Sequence, residues 1–173
     1  MKKATLVIAA CLTLASCGKK SDSDLLVGKW RVVSQEDPQM STMIEEQLRF
    51  IDTVGQNTTP EQNIAEYGTN NMDSFKAMQR EQIEAYKKEQ DEYLKNITFE
   101  FRKNGTIIYN YGPNVDSAKW KVTDKGLLEV DESQSKGPTA PKVMMDIVYV
   151  TDTALKLTFL QNNVSVIFHP DKK

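Results

Sequence analysis

The chain has 173 residues, 39% of them hydrophobic, with 22 basic and 24 acidic side chains, two cysteines and one histidine. That length suits one domain with a proper core. The mildly acidic balance argues against nucleic-acid binding or a basic membrane-surface patch, and so few Cys and His leave little for disulfide, thiol or metal chemistry.

The first element is a leader. Met1-Lys2-Lys3 is a basic start, and residues 4–15 form an apolar run broken only by Thr5 and Thr13. It is shorter than the roughly 20 residues that span a bilayer, and fits a secretory signal over 1–16. Leu14-Ala15-Ser16-Cys17 resembles the lipobox of bacterial lipoprotein signal peptides. The resemblance implies that Cys17 becomes the lipidated first residue of the mature chain. The plain alternative is an ordinary signal peptide with an incidental cysteine. Two or three acyl chains would hold the protein to a membrane durably. Cys11 leaves with the leader, so no disulfide is expected. Removing Lys2 and Lys3 from the 22 basic residues leaves 20 against 24 acidic ones, a balance of −4.

Residues 17–24 read as the lipidated Cys followed by a flexible, polar tether. Gly18, rather than Asp, after Cys17 resembles the pattern that sends lipoproteins to the outer membrane, and Asp22 and Asp24 weakly resemble surface-export signals. The expected location is therefore the cell envelope, as an outer-membrane lipoprotein on its periplasmic or exterior side.

Residues 25–173 read as a single domain. Gly28 to Ser34 is a strand, with Trp30 and Val32 alternating against Lys29 and Arg31. After Pro38 the period lengthens from two to 3.6, and an insert over 40–95 follows. Thr42 and Glu45 read as a capping box; Ile44, Leu48 and Ile51 share a face that stops near Gly55. Thr59-Pro60-Glu61-Gln62 repeats the start signal for a short helix ending at Gly68. The third helix runs from about Asp73 to Leu94. One side carries Met72, Phe75, Met78, Ile83, Tyr86, Tyr93 and Leu94 mixed with glutamines, a half-wet face suited to lying on another element.

From Ile97 the period returns to two. Strands are expected around Ile97–Phe101, Ile107–Tyr111, Ala118–Val122, Leu128–Val130, Val143–Val150, Leu155–Phe159 and Val164–Phe168, separated by turns such as Asn104-Gly105 and Asp124-Lys125-Gly126. Residues 133–141 read as a loop. Eight strands, seven of them consecutive, predict an antiparallel up-and-down barrel with helices inserted between strands one and two: a mainly β, α+β fold. Closure removes the two exposed sheet edges.

Gly28-Lys29-Trp30, Trp120-Lys121-Val122 with Gly126-Leu127-Leu128, and Ala154 to Thr158 are similar to stretches of the calycins, and of the lipocalin-like domains of bacterial lipoproteins. The resemblance implies a barrel with Trp30 plugging one end and helices near the mouth. It departs from the lipocalins in lacking an Arg on the last strand and in the length of its insert.

An eight-stranded barrel holds either a packed core or one small ligand. Trp30, Phe99, Phe101, Tyr109, Trp120, Met144, Phe159 and Phe168 are candidate lining residues, and equally candidate core. Phe75, Met78 and Tyr86 are candidate contacts from the insert. Asp146, if inward, would fix a polar head with Arg31 or Lys156 as partner; otherwise Val143, Met145, Ile147 and Tyr149 form the inner row. His169, the lone histidine, sits at a strand end without a nucleophile motif, and no metal or phosphate-loop spacing occurs, so neither enzyme activity nor a metal or cofactor is expected. Asp52-Thr53-Val54, Asp116-Ser117-Ala118 and Asp152-Thr153-Ala154 resemble an O-glycosylation motif of exported proteins; two of them also read as turn starts. Three functions follow: a lipid-anchored binding module for a small apolar or amphipathic ligand; a solid barrel that docks an envelope protein through its insert; and, last, an enzyme using His169.

Overall fold

The structure, a computed structural model, describes residues 21–140 and 142–171. The expected leader, Cys11 and Cys17 lie outside the described residues. Eight strands close into an antiparallel barrel in chain order: β1 (Gly28–Glu36), β2 (Ile97–Phe101), β3 (Thr106–Tyr111), β4 (Asn114–Val122), β5 (Leu127–Asp131), β6 (Lys142–Val150), β7 (Leu155–Phe159) and β8 (Ser165–Pro170), with β8 returning to β1. The period-two pattern drives this. Trp30, Phe99, Phe101, Ile107, Tyr109, Trp120, Leu128, Leu157 and Phe168 are inward and buried, while the charged residues between them face out. Tight turns set the register: the amide of Gly105 donates to Arg102 O at 3.0 Å and that of Gly126 to Thr123 O at 2.9 Å. Both glycines adopt positive φ, 74° and 78°, where a Cβ is disfavoured.

The two ends of the barrel differ. At one end the chain enters through α1 (Asp22–Leu26), which packs against β4 and β6 on the far side of the barrel and so crosses its opening. Ser21 caps it with a full capping box to Asp24, and Leu26 is wholly buried. The Trp30 indole Nε1 donates to Leu26 O at 2.8 Å, and the Trp120 Nε1 donates to Arg102 O at 3.2 Å. The stretch expected to be tether throughout is thus a helix from Asp22 on: Ser21 and Asp24 supply the cap, and Leu25-Leu26 supply an apolar face too short to announce itself as periodic.

At the other end the helical insert leaves and returns. It comprises α2 (Pro38–Thr53), α3 (Pro60–Tyr67) and α4 (Met72–Leu94). Asp37, not Thr42, caps α2: its carboxylate accepts from the amides of Gln39 and Met40, and the Thr42 hydroxyl instead donates to Pro38 O at 2.9 Å. Pro38 at the first helical position moves the start one turn earlier than the Thr42-Glu45 pair suggests. The capping box at Thr59 and Gln62 and the left-handed stop at Gly68 form as expected. α4 packs against α2 and β1. Phe50, Tyr67 and Phe75 stack where the three helices meet, with ring centroids 6.4 Å and 5.4 Å apart. Between β5 and β6, where a loop was expected, Ser133–Lys136 form one turn of helix, α5.

Candidate functional site

Most of the barrel interior is filled. Eighteen buried side chains form one cluster, with Phe99 touching Phe101, Tyr109, Tyr111 and Phe168 at centroid distances of 5.1–6.4 Å. Phe101 meets Trp120 edge-to-face at 5.3 Å. Of the expected lining residues, Trp30, Phe101, Trp120 and Phe168 are therefore core. Trp30 is buried next to α1, where its indole donates to Leu26 O.

Two candidates face outward. Met144 pairs with Glu129 across β5 and β6, on the side where Glu129 meets Lys121 and Lys142. Asp146 is exposed. Its suggested partners are engaged elsewhere: Arg31 binds Asp171 at 2.9 Å and Lys156 binds Glu36 at 2.7 Å. Met145 is the inward residue, at 2% exposure. The inner row runs Val143, Met145, Ile147 and then Val150, because a bulge at Val148 shifts the register and turns Tyr149 outward. A strict alternation put Tyr149 in that row; the extra residue reverses its face.

The interior opens at the insert end. A crevice of about 250 Å³ reaches in there, floored by Val32, Ile97, Phe99, Val164 and Val166 and walled by Tyr111, Phe159 and Leu94 of α4. Its rim is polar, with Gln35, Asp37 and Asn162. Asp37 is committed to capping α2, and Asn162 Oδ1 accepts the Val164 amide at 3.2 Å, which leaves the Asn162 amide nitrogen to donate. The Tyr111 hydroxyl makes no hydrogen bond to any described residue. Burial first, then the negative charge of Glu132, pushes its phenol up to about 12, so near neutrality it is an O–H donor. Beside it the Tyr109 hydroxyl donates to Glu132 Oε1 at 2.6 Å, while Lys136 Nζ holds Glu132 Oε2 at 2.8 Å. Burial and that carboxylate raise the Tyr109 phenol far above its ordinary value. The one-turn α5 brings Lys136 back to Glu132.

Of the crevice residues, the sequence pattern marks Phe99 and Phe159 as candidates but not Tyr111, Gln35, Asn162 and Val166; Tyr109 lies beside the crevice without lining it. Tyr111 ends an alternating strand and was legible as inward. Gln35 and Asn162 belong to the mouth only because β1 outruns β2 and the β7–β8 turn folds beside it.

The insert meets the mouth at its edge: Leu94 walls the crevice, and Tyr86, Lys87, Gln90 and Asp91 of α4 share a neighbouring depression with Gln35 and Asp37 of the rim. Of the three insert candidates only Tyr86 lines the groove of about 540 Å³ between α2 and α4. Met43, Gln47, Phe50, Gln79, Gln82 and Ile83 line it with Tyr86; Met78 stands 47% exposed on the adjoining surface of α4, and Phe75 packs on Tyr67. The structure does not bring these three residues together with the barrel aromatics.

His169 is exposed on β8, paired with Arg31 across the ladder. Among the described residues no group of three or more His, Cys, Asp or Glu could hold a metal ion, and no helix is long and apolar enough to cross a membrane. Of the three Asp-Thr/Ser motifs, Thr153 sits on the exposed β6–β7 turn, Ser117 on the exposed side of β4, and Thr53 at the end of α2, donating to Arg49 O.

No protein-family model and no curated protein matches the chain. Among solved structures it is similar to a DUF4847 family protein from Bacteroides vulgatus, at 12% identity and a TM-score of 0.40, over 86% of this chain and 96% of that one.

Proposed function

We propose that this protein is an envelope-anchored binding module that takes a small amphipathic ligand at the open mouth of its barrel. The observation that carries the reading is the crevice itself: an apolar floor continuous with the core, with an unpartnered phenol and two amide side chains around its rim. Ligand sites of this kind are mostly apolar with a few placed polar groups. At about 250 Å³ the crevice is smaller than the 300–1,000 Å³ typical of drug-sized sites. It selects a ring-sized body or the end of a chain bearing a hydrogen-bond acceptor for Tyr111, and the packed interior refuses a whole fatty acid.

The anchor is the lipidated Cys17, four residues before Ser21, about 14 Å at full stretch. The chain enters the fold at the end closed by α1, so anchoring there turns the mouth and the helical insert away from the membrane.

The test is ligand-detected NMR of the mature protein with a panel of ring-sized ketones, amides and phenolate-free aromatics. Binding by acceptor-bearing members, lost on Val166→Trp and weakened about two- to twelvefold by Tyr111→Phe, is the expected result; one hydrogen bond of about 0.5–1.5 kcal/mol corresponds to that range. No binding by any member, or binding that Val166→Trp leaves intact, would overturn the proposal.

A further inference from the structure

The insert carries a second surface that the mouth does not use. α2 and α4 are antiparallel and bury Ile51 and Ile83 between them. On one flank of that seam the apolar stripe continues outward into solvent: Met43 and Phe50 stand 45% and 50% exposed, Tyr86 38% and Tyr93 48%, although the far edge of the Phe50 ring meets Tyr67. Two helices that leave such a stripe open make the seat for a third, because a helix lays its i, i+3, i+4 and i+7 side chains into a groove of this form. At 100° per residue, Glu46 on α2 and Glu89 on α4 border the open stripe. The basic residues Lys76 and Arg80 lie on the opposite flank, held at Asp52.

We propose that this groove docks an amphipathic helix of a partner protein whose apolar stripe is bordered by lysine and arginine. Charge argues for that occupant over the others. Residues 37–95 hold 12 acidic and 6 basic side chains, an excess of six negative charges, whereas the chain from Cys17 onward totals −4. The acidic excess of the whole protein is thus concentrated in the insert. A second copy would bring the same charge against it, and an anionic lipid surface would repel it. Neutral glutamines 47, 79 and 82 in the groove leave its floor free of unpaired charge and able to hydrogen-bond a helix side chain. α2 spans about 24 Å, so a helix of four to five turns covers the seat.

The probes are two synthetic 18-residue helices with one leucine stripe, bordered by lysine in one and by glutamate in the other. The full mature chain should bind the lysine peptide, with NMR shifts at Met43, Phe50, Gln82 and Tyr86, and should bind the glutamate peptide at least tenfold more weakly. Met43→Ser, at an exposed position that leaves the fold intact, should weaken lysine-peptide binding severalfold. Glu46→Lys with Glu89→Lys should reverse the preference, an outcome that non-specific attraction to an acidic protein would not give unless these two residues border the seat. Val166→Trp, which blocks the mouth, should leave peptide binding unchanged, so the failure of either site is distinguishable from that of the other. Equal binding of both peptides, shifts confined to the barrel, a dimer abolished by Met43→Ser, or retention on anionic vesicles of the Cys17→Ser chain, which carries no lipid, would each overturn the proposal.

Discussion

Replacing Leu26 by Ala tests whether α1 is a structural plug or the end of a tether. Leu26 has no exposed surface, and its carbonyl accepts the Trp30 indole N–H at 2.8 Å. Leu→Ala at a buried site costs about 2–5 kcal/mol, rising with the cavity left behind. Here the surrounding ring is fixed by eight hydrogen-bonded strand pairs and cannot collapse inward, which places the expected cost in the upper two-thirds of that range, about 3–5 kcal/mol. For a domain of this size each kcal/mol moves the midpoint by about 2–4 °C, so Tm should fall by roughly 6–20 °C. Thermal and urea denaturation of residues 17–173, followed by Trp fluorescence, measure the two quantities, and the same traces report on Trp30 directly. Leu160→Ala, at 48% exposure, is the control and should cost under about 1 kcal/mol. If Leu26→Ala costs no more than that control, with an unchanged slope, α1 does not close the barrel and the argument for a single open mouth fails.

Asp171 binds Lys29 and Arg31 at 2.9 Å each, and these hydrogen bonds hold its carboxyl below the ordinary value of 3.8. Its contribution is therefore fully present above about pH 4 and lost as pH falls through the lowered folded value; Asp171→Asn should cost at most about 1 kcal/mol at pH 7 and nothing in strong acid, by urea titration at each pH. Tyr111, raised to about 12, favours the folded state while neutral, so its contribution is present below pH 10 and fades above; alkaline absorbance titration of the folded protein should lose a late-ionising tyrosine in Tyr111→Phe. Gly105→Ala forces a Cβ into φ 74° against Trp120 O at 3.5 Å and should cost about 1–2 kcal/mol in thermal melts.

The barrel was legible because its cause is local: a two-residue period between turn signals specifies which face is wet and which is dry, and seven such segments in a row leave few ways to pair. What the period cannot supply is register. The bulges at Val33 and Val148 insert one residue each and invert the faces beyond them, which is why Tyr149 was assigned inward and Val150 was not. The helices were legible by their caps where a capping box was intact, as at Thr59, and misplaced by a turn where Pro38 and Asp37 competed with Thr42. The candidate site was half legible. Aromatic residues at period two announce an interior, but whether that interior is full is a matter of summed volume across eight strands, and no stretch of sequence records it.

That sum also fixes where binding can occur. Phe99, Phe101, Trp120 and Phe168 occupy the space that a roomier barrel leaves for cargo, and opening it would cost several kcal/mol for each aromatic displaced. Binding is thereby confined to the ends. One end is crossed by α1 and sealed by two indole N–H donors to backbone carbonyls. At the other, β1 outruns its neighbour, the insert departs along α2 and returns along α4, and Leu94 meets Phe99 and Val166 around the crevice without filling it. The long excursion of the chain thus has a physical consequence at its root as well as along its length. It removes the short turn that would otherwise close the mouth, and in exchange gives the molecule an exposed acidic helical face.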